Sequence, residues 1–221
     1  MKNLVVVGDS FCMYPLGWPQ QLADSLNLRL LNRGVGGEHW WGTRQYLANM
    51  SDFDKNETEA IVFCHTYSGR IPCEDPELGK FDISNLDCND EKQQAVKLYY
   101  KYIQSPEFLE WAQKAWFREI SSTYQSIKLI NLHGFPWSLN FSNELAGVNV
   151  VTNLSALSLN EIAAQDLGEL AGDSRPNHFN DYNNKVLAAQ LCDIINNYTP
   201  GDVELNVNEF DLKTQTWFDW K

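Results

Sequence analysis

A chain of 221 residues has the size of one ordinary domain with a sizeable core and is cramped for two. Lys+Arg 17 against Asp+Glu 29 leave a net charge of −12, which repels phosphate backbones and anionic lipid surfaces and excludes nucleic acid and membranes as expected partners. Met1-Lys2-Asn3 runs straight into a strand pattern without a leader-like apolar region, and no stretch reaches the length of a membrane span, so a cytoplasmic protein is expected. Cys12, Cys64, Cys73, Cys88 and Cys192 are odd in number, widely spaced and without a CxxC pair. They read as free thiols in a reducing compartment, neither a disulfide frame nor a zinc site.

Leu4 to Val7 is a compact, mostly β-branched apolar run, the pattern of a strand buried on both faces. Gly8-Asp9-Ser10 ends it: glycine permits a tight turn, Asp9 suits a turn or a cap, and Ser10 falls just past the strand, where open α/β sheets bind ligands. Ser10 thus reads either as an exposed nucleophile or as part of a helix cap. Pro19, with Trp18, Leu22 and Leu26 four apart, predicts the first helix, and Leu28 to Leu31 predicts a second strand. Asn32-Arg33-Gly34-Val35-Gly36-Gly37 follows, whose glycines suit a close backbone approach or simply a flexible turn.

A helix is expected through Arg44, Leu47 and Met50, and Ala60 to Phe63 is the third strand, emerging at Cys64-His65-Thr66-Tyr67-Ser68-Gly69-Arg70. Arg70 orients a substrate or, more simply, forms a structural salt bridge. Residues 71–93, with Pro72, Pro76 and repeated acids, read as a surface insertion. Helical spacing returns from Glu91 to Tyr124, broken at Ser105-Pro106, with an aromatic stripe that reads as core. Ile127 to Leu132 and Val148 to Val151 are the fourth and fifth strands; helices are expected near Ser158 to Leu167 and over Asn183 to Asn196. The sum is one domain over residues 1–200, a doubly wound three-layer α/β/α sandwich on a mainly parallel, five-stranded sheet. The tail, 201–221, is an edge strand, a cover over the sheet or the contact surface of a homo-oligomer.

Gly8-Asp9-Ser10 after strand one, Asn32-x-Gly34-x-x-Gly37 after strand two and His178 just before the last helix together resemble the SGNH hydrolases, also called the GDSL esterase/lipase family. The resemblance implies a flavodoxin-like three-layer fold, hydrolysis of esters including O-acetyl groups on sugars, and no metal or cofactor. It implies Ser10 as nucleophile, Gly37 as an oxyanion donor through its backbone N–H, and His178 as general base. Two positions depart from the pattern. Thr66 stands where the family places an oxyanion-binding asparagine, which leaves Thr66, His65, Arg70 and Asp9 as the other candidates for oxyanion or substrate contacts. Arg175 stands three residues before the histidine, where the family has its aspartate; Asp173, five before, completes a triad only if the loop bends, and otherwise a Ser-His dyad remains. The expected function is a serine esterase acting on a small acyl ester, an O-acetylated carbohydrate being one candidate given Trp40, Trp41 and Trp137. The alternative is a catalytically weak or silent SGNH-fold binding or assembly protein. A flavodoxin-like nucleotide binder is disfavoured by the absence of a GxGxxG or Walker loop.

Overall fold

A computed structural model of the chain describes residues 1–66, 69–70, 91–157 and 179–211. Strand β1 (Asn3–Gly8) lies inside the sheet with Leu4, Val5, Val6 and Val7 all at 0% exposure, which is why its sequence is apolar without alternation. It is followed by helix α1 (Trp18–Leu26), β2 (Arg29–Gly34), α2 (Trp40–Ala48), the short α3 (Asp52–Asn56) and β3 (Thr58–His65). The second half holds α4 (Glu91–Tyr102), α5 (Pro106–Thr123), β4 (Lys128–His133), α6 (Pro136–Leu139), β5 (Val148–Asn153), α7 (Asp181–Asn196) and β6 (Gly201–Val203). Ser105 caps α5 by accepting from Phe108 N, with Pro106 in the first turn, so the Ser-Pro break read from the sequence is a helix start.

All neighbouring strands pair in parallel, in the order β2-β1-β3-β4-β5-β6. Alternate residues of the central strands feed two cores. Leu4, Val6, Val62, Ile130 and Leu132 pack with Trp18 and Leu22 of α1 and Leu187, Leu191 and Ile195 of α7. Val5, Val7, Ile61, Phe63 and Leu129 pack with Leu47 of α2 and Trp116, Phe117 and Ile120 of α5. The result is a three-layer α/β/α sandwich. The chain leaves β1 toward β2 on one side and crosses back to β3 on the other, so the strand order reverses between β1 and β3, where such folds bind ligands.

Among the described residues the sheet has six strands where five were expected. The sixth, β6, is three residues long, pairs Gly201, Asp202 and Val203 with Val148, Asn149 and Val150, and is too short and too polar to show a period. Of the alternatives for the tail, residues 201–211 form an edge strand and pack on the domain, with Leu205 and Phe210 buried in the core shared by α1 and α7. β3 also runs two residues further than its apolar run, because Cys64 and His65 still pair with Leu132 and His133. The expected insertion at 71–93, up to residue 90, the expected helix near Ser158 to Leu167 and the last ten residues lie outside the described residues. Among the described residues, no helix is long and apolar enough to cross a membrane.

Gly8 is required where it stands. Its φ is +149°, and a Cβ there would meet the Cys64 carbonyl oxygen at 2.5 Å. Gly8→Ala is expected to lower the free energy of unfolding by about 3 kcal/mol. The midpoint of urea unfolding measures this at unchanged slope; a loss under about 1 kcal/mol shows instead that β3 yields easily.

Candidate active site

The end of β1 turns at once into a short 3₁₀ turn, Ser10–Cys12, capped by Asp9, whose Oδ1 accepts from Phe11 N at 3.1 Å. The two sequence readings of Gly8-Asp9-Ser10 are therefore compatible: Asp9 does the capping, and Ser10 is left partly exposed at the mouth of the crevice. The β2 exit loop is tied alongside, with Val35 N donating to Gly8 O at 3.1 Å and Glu38 N to Val35 O at 2.9 Å. Gly37 in that turn has φ +76°, a left-handed conformation that favours glycine. Gly34 lies against Cys12, so closely that a Cβ would meet the Cys12 carbonyl carbon at 2.6 Å.

Asp9 is fully buried and carries a charge network. Its Oδ2 accepts from Thr66 Oγ1 at 2.8 Å and from Arg70 Nη1 at 2.9 Å. The same Nη1 donates to Glu38 O at 2.8 Å and to Thr66 Oγ1. The Arg70 guanidinium also lies 5.6 Å from the centre of the Phe135 ring, and Tyr100 Oη fixes the preceding Gly69 carbonyl at 2.7 Å. The salt bridge expected of Arg70 thus exists, and its partner is the residue immediately before Ser10. Thr66 is committed too, since its one hydroxyl proton goes to Asp9.

Three of the four histidines lie among the described residues, each with partners of its own. His39 caps α2, its Nδ1 accepting from Gly42 N at 3.2 Å. His65, placed in an exit loop from the sequence, is instead the last residue of β3, 6% exposed, with its ring 4.6 Å from that of Phe117. Its Nε2 lies 3.1 Å from Asn131 Oδ1, and the Asn131 amide nitrogen donates to Ala146 O and Asn149 Oδ1, so the His65 proton is on Nε2. Burial pulls its pKa down to about 4, against a smaller upward pull from Asn131. His133, at the same register position on β4, lies with its ring 5.3 Å away. Its Nδ1 is 2.7 Å from Ser138 Oγ, which donates to Phe135 O, and its Nε2 is buried without a partner among the described residues. Burial first, and His65 second, hold its pKa down at about 2.

The N-terminus of α7 docks beside the Ser10 turn. Asn184 Oδ1 accepts from Trp18 N at 2.8 Å, Trp18 Nε1 donates to Phe11 O at 2.8 Å, and the Phe179 ring meets the Phe11 ring edge-on at 5.9 Å. The residues that follow Ser10 and His178 in sequence are therefore in contact across the mouth of the sheet. His178 and Asp173 themselves lie outside the described residues. Sequence reasoning missed Glu38, whose carbonyl anchors Arg70, and the Phe11, Phe135 and Phe179 cluster; single aromatic residues in loops carry no periodic signal.

The cavity on the α2 side of the crevice, lined by Trp40, Thr43, His65, Thr66 and Gln113, measures ≈ 10 Å³, too small for an acyl group. A larger one, ≈ 400 Å³, is lined by Leu129, Gly147, Tyr198 and Gly201 near the opposite ends of β4, β5 and β6, away from Ser10. Among the described residues, no group of three or more His, Cys, Asp or Glu side chains is placed to hold a metal ion.

No family model and no curated protein matches this chain. Among solved structures it is similar to a protein from Desulfitobacterium hafniense DCB-2 described as a candidate lipolytic protein of the G-D-S-L family, with 14% identity and a TM-score of 0.49 over 88% of this chain and 99% of that chain.

Proposed function

We propose that this protein is a serine esterase that hydrolyses a small acyl ester through an acyl-enzyme on Ser10. The observation that carries the reading is the packing of Phe179 on Phe11, which brings the chain flanking His178 to the chain flanking Ser10 at the switch point of the sheet. The partners already held by the His39, His65 and His133 rings add to it, because a serine hydroxyl is a weak nucleophile until a base accepts its proton, and His178 is the candidate for that task. In this reading Ser10 Oγ attacks the ester carbonyl while His178 takes the hydroxyl proton. The N–H groups of Ser10 and Gly37 receive the oxyanion, and the leaving alkoxide departs with the proton from His178. Water then attacks the acyl-enzyme with His178 again as base. An O-acetylated carbohydrate is one substrate in this class, with Asp173 as the candidate orienting acid.

A second reading, a catalytically silent binding or assembly module on the same fold, is favoured by the commitment of the Thr66 hydroxyl to Asp9, which removes a side-chain donor from the site. Hydrolysis of p-nitrophenyl acetate by the wild type and by Ser10→Ala separates the two. The esterase reading expects the substitution to remove the enzymatic rate, a loss of about 10³-fold or more. Equal rates from both proteins leave the silent module.

A further inference from the structure

We propose that Arg70 is the charged oxyanion donor of the site, an inference that rests on the esterase reading above. The guanidinium is clamped between the two loops that carry the backbone donors: Nη1 meets Oδ2 of Asp9, the residue before Ser10, at 2.9 Å and the carbonyl of Glu38, the residue after Gly37, at 2.8 Å. A planar guanidinium offers five N–H groups in a fixed fork, and the hydrogen bonds Arg70 makes to described residues all use Nη1. Nε and Nη2 are uncommitted among the described residues, and 13% of the side chain remains open.

Thr66 cannot serve in this place. Its one proton is given to Asp9, so donating to a substrate takes that hydrogen bond from a fully buried carboxylate, while its oxygen is already used to accept from Arg70. The group that can donate from the Thr66 position is therefore the cation resting on it. Asp9 makes this usable. A fully buried carboxylate fixes the guanidinium before substrate arrives and balances its charge in the resting site. As Ser10 Oγ bonds to the carbonyl carbon, the π electron pair moves onto the carbonyl oxygen and the hydroxyl proton passes to the base. The new negative charge then forms beside a donor that needs no reorientation, the arrangement that favours the transition state over the ground state.

The experiment compares wild type, Ser10→Ala, Arg70→Gln and Arg70→Lys on neutral p-nitrophenyl acetate and on an anionic ester, mono-p-nitrophenyl glutarate, with circular dichroism to verify folding. Arg70→Gln is expected to lower kcat by about 10²-fold or more on both esters with KM changed less than about threefold, and Arg70→Lys to fall between it and wild type. A trifluoromethyl ketone, which forms an anionic adduct on the serine, is expected to lose affinity in proportion to kcat/KM across the variants, while an unreactive ether analogue binds them equally. Arg70→Lys keeps a cation opposite Asp9 and decides the matter if Arg70→Gln does not fold. Folded variants that retain kcat within about threefold, or that lose only the anionic ester through KM, overturn the proposal and leave the esterase standing. If wild type and Ser10→Ala hydrolyse both esters equally, the esterase reading fails and this proposal falls with it.

Discussion

Replacing His178 by alanine is expected to cut Ser10-dependent ester hydrolysis by about 10²–10⁴-fold. The size follows from the lack of a substitute. His65 and His133 are held neutral in the interior and face α5, and the His39 ring is bound to the first turn of α2. In the wild type, kcat/KM is expected to rise with pH through a single limb as one imidazole loses its proton. His178→Ala removes that limb together with the rate. Asp173→Asn then separates the two forms of the site: a triad loses a further large factor because the imidazole is no longer oriented or stabilised when charged, whereas a dyad keeps its rate. Initial rates from pH 5 to 9 measure both effects. A His178→Ala protein with the wild-type rate and profile removes the proposed base.

The layers of the fold were legible because buried parallel strands need apolar residues on both faces and the helices need them on one. Leu4 to Val7 and Ala60 to Phe63 have the first pattern; α1 and α7 have the second. What the pattern does not show is where a strand stops being apolar but goes on pairing. β3 continues through Cys64 and His65 because both side chains find interior surroundings, one against Gly8 and one against Asn131 and Phe117. β6 escaped for a related reason. Its three residues are held to β5 by backbone pairing at a sheet edge, and Gly201 N donates to Gly147 O whatever side chains stand there.

Of the site, the parts set by local chain geometry were readable and the parts set by distant contacts were not. A glycine, an acid and a serine at a strand end dictate a turn, a cap and a partly exposed serine, and the left-handed Gly37 follows from its neighbours in the same way. The Asp9–Arg70 pair joins residues 61 apart, the Asn184–Trp18 bond residues 166 apart, and no spacing rule announces either. Arg70 nevertheless explains why Thr66 is acceptable at that position: a short hydroxyl fits beneath the guanidinium and passes its hydrogen bond to Asp9.

Acidification from pH 7 to pH 4 is expected to remove about 6 kcal/mol of stability through the His65 and His133 pair, roughly 3 kcal/mol from each. The sign follows from the direction of the shifts. Burial lowers both folded-state values, His65 to about 4 and His133 to about 2, while both unfolded values are near 6.5. Below about pH 7 the unfolded chain therefore binds protons that the folded chain refuses, and stability falls as pH drops toward the folded values; above about pH 8 neither state is appreciably protonated and the contribution is complete. The two sites reinforce each other, since their rings are 5.3 Å apart and a proton on one disfavours a proton on the other. Urea unfolding at pH 8, 6, 5 and 4 measures the effect. His133→Leu is the discriminating variant, because Ser138 keeps its bond to Phe135 O and one of the two proton-binding differences disappears, so the fall in stability between pH 8 and pH 4 shrinks to about half. An unchanged fall in that variant assigns the acid sensitivity to other groups.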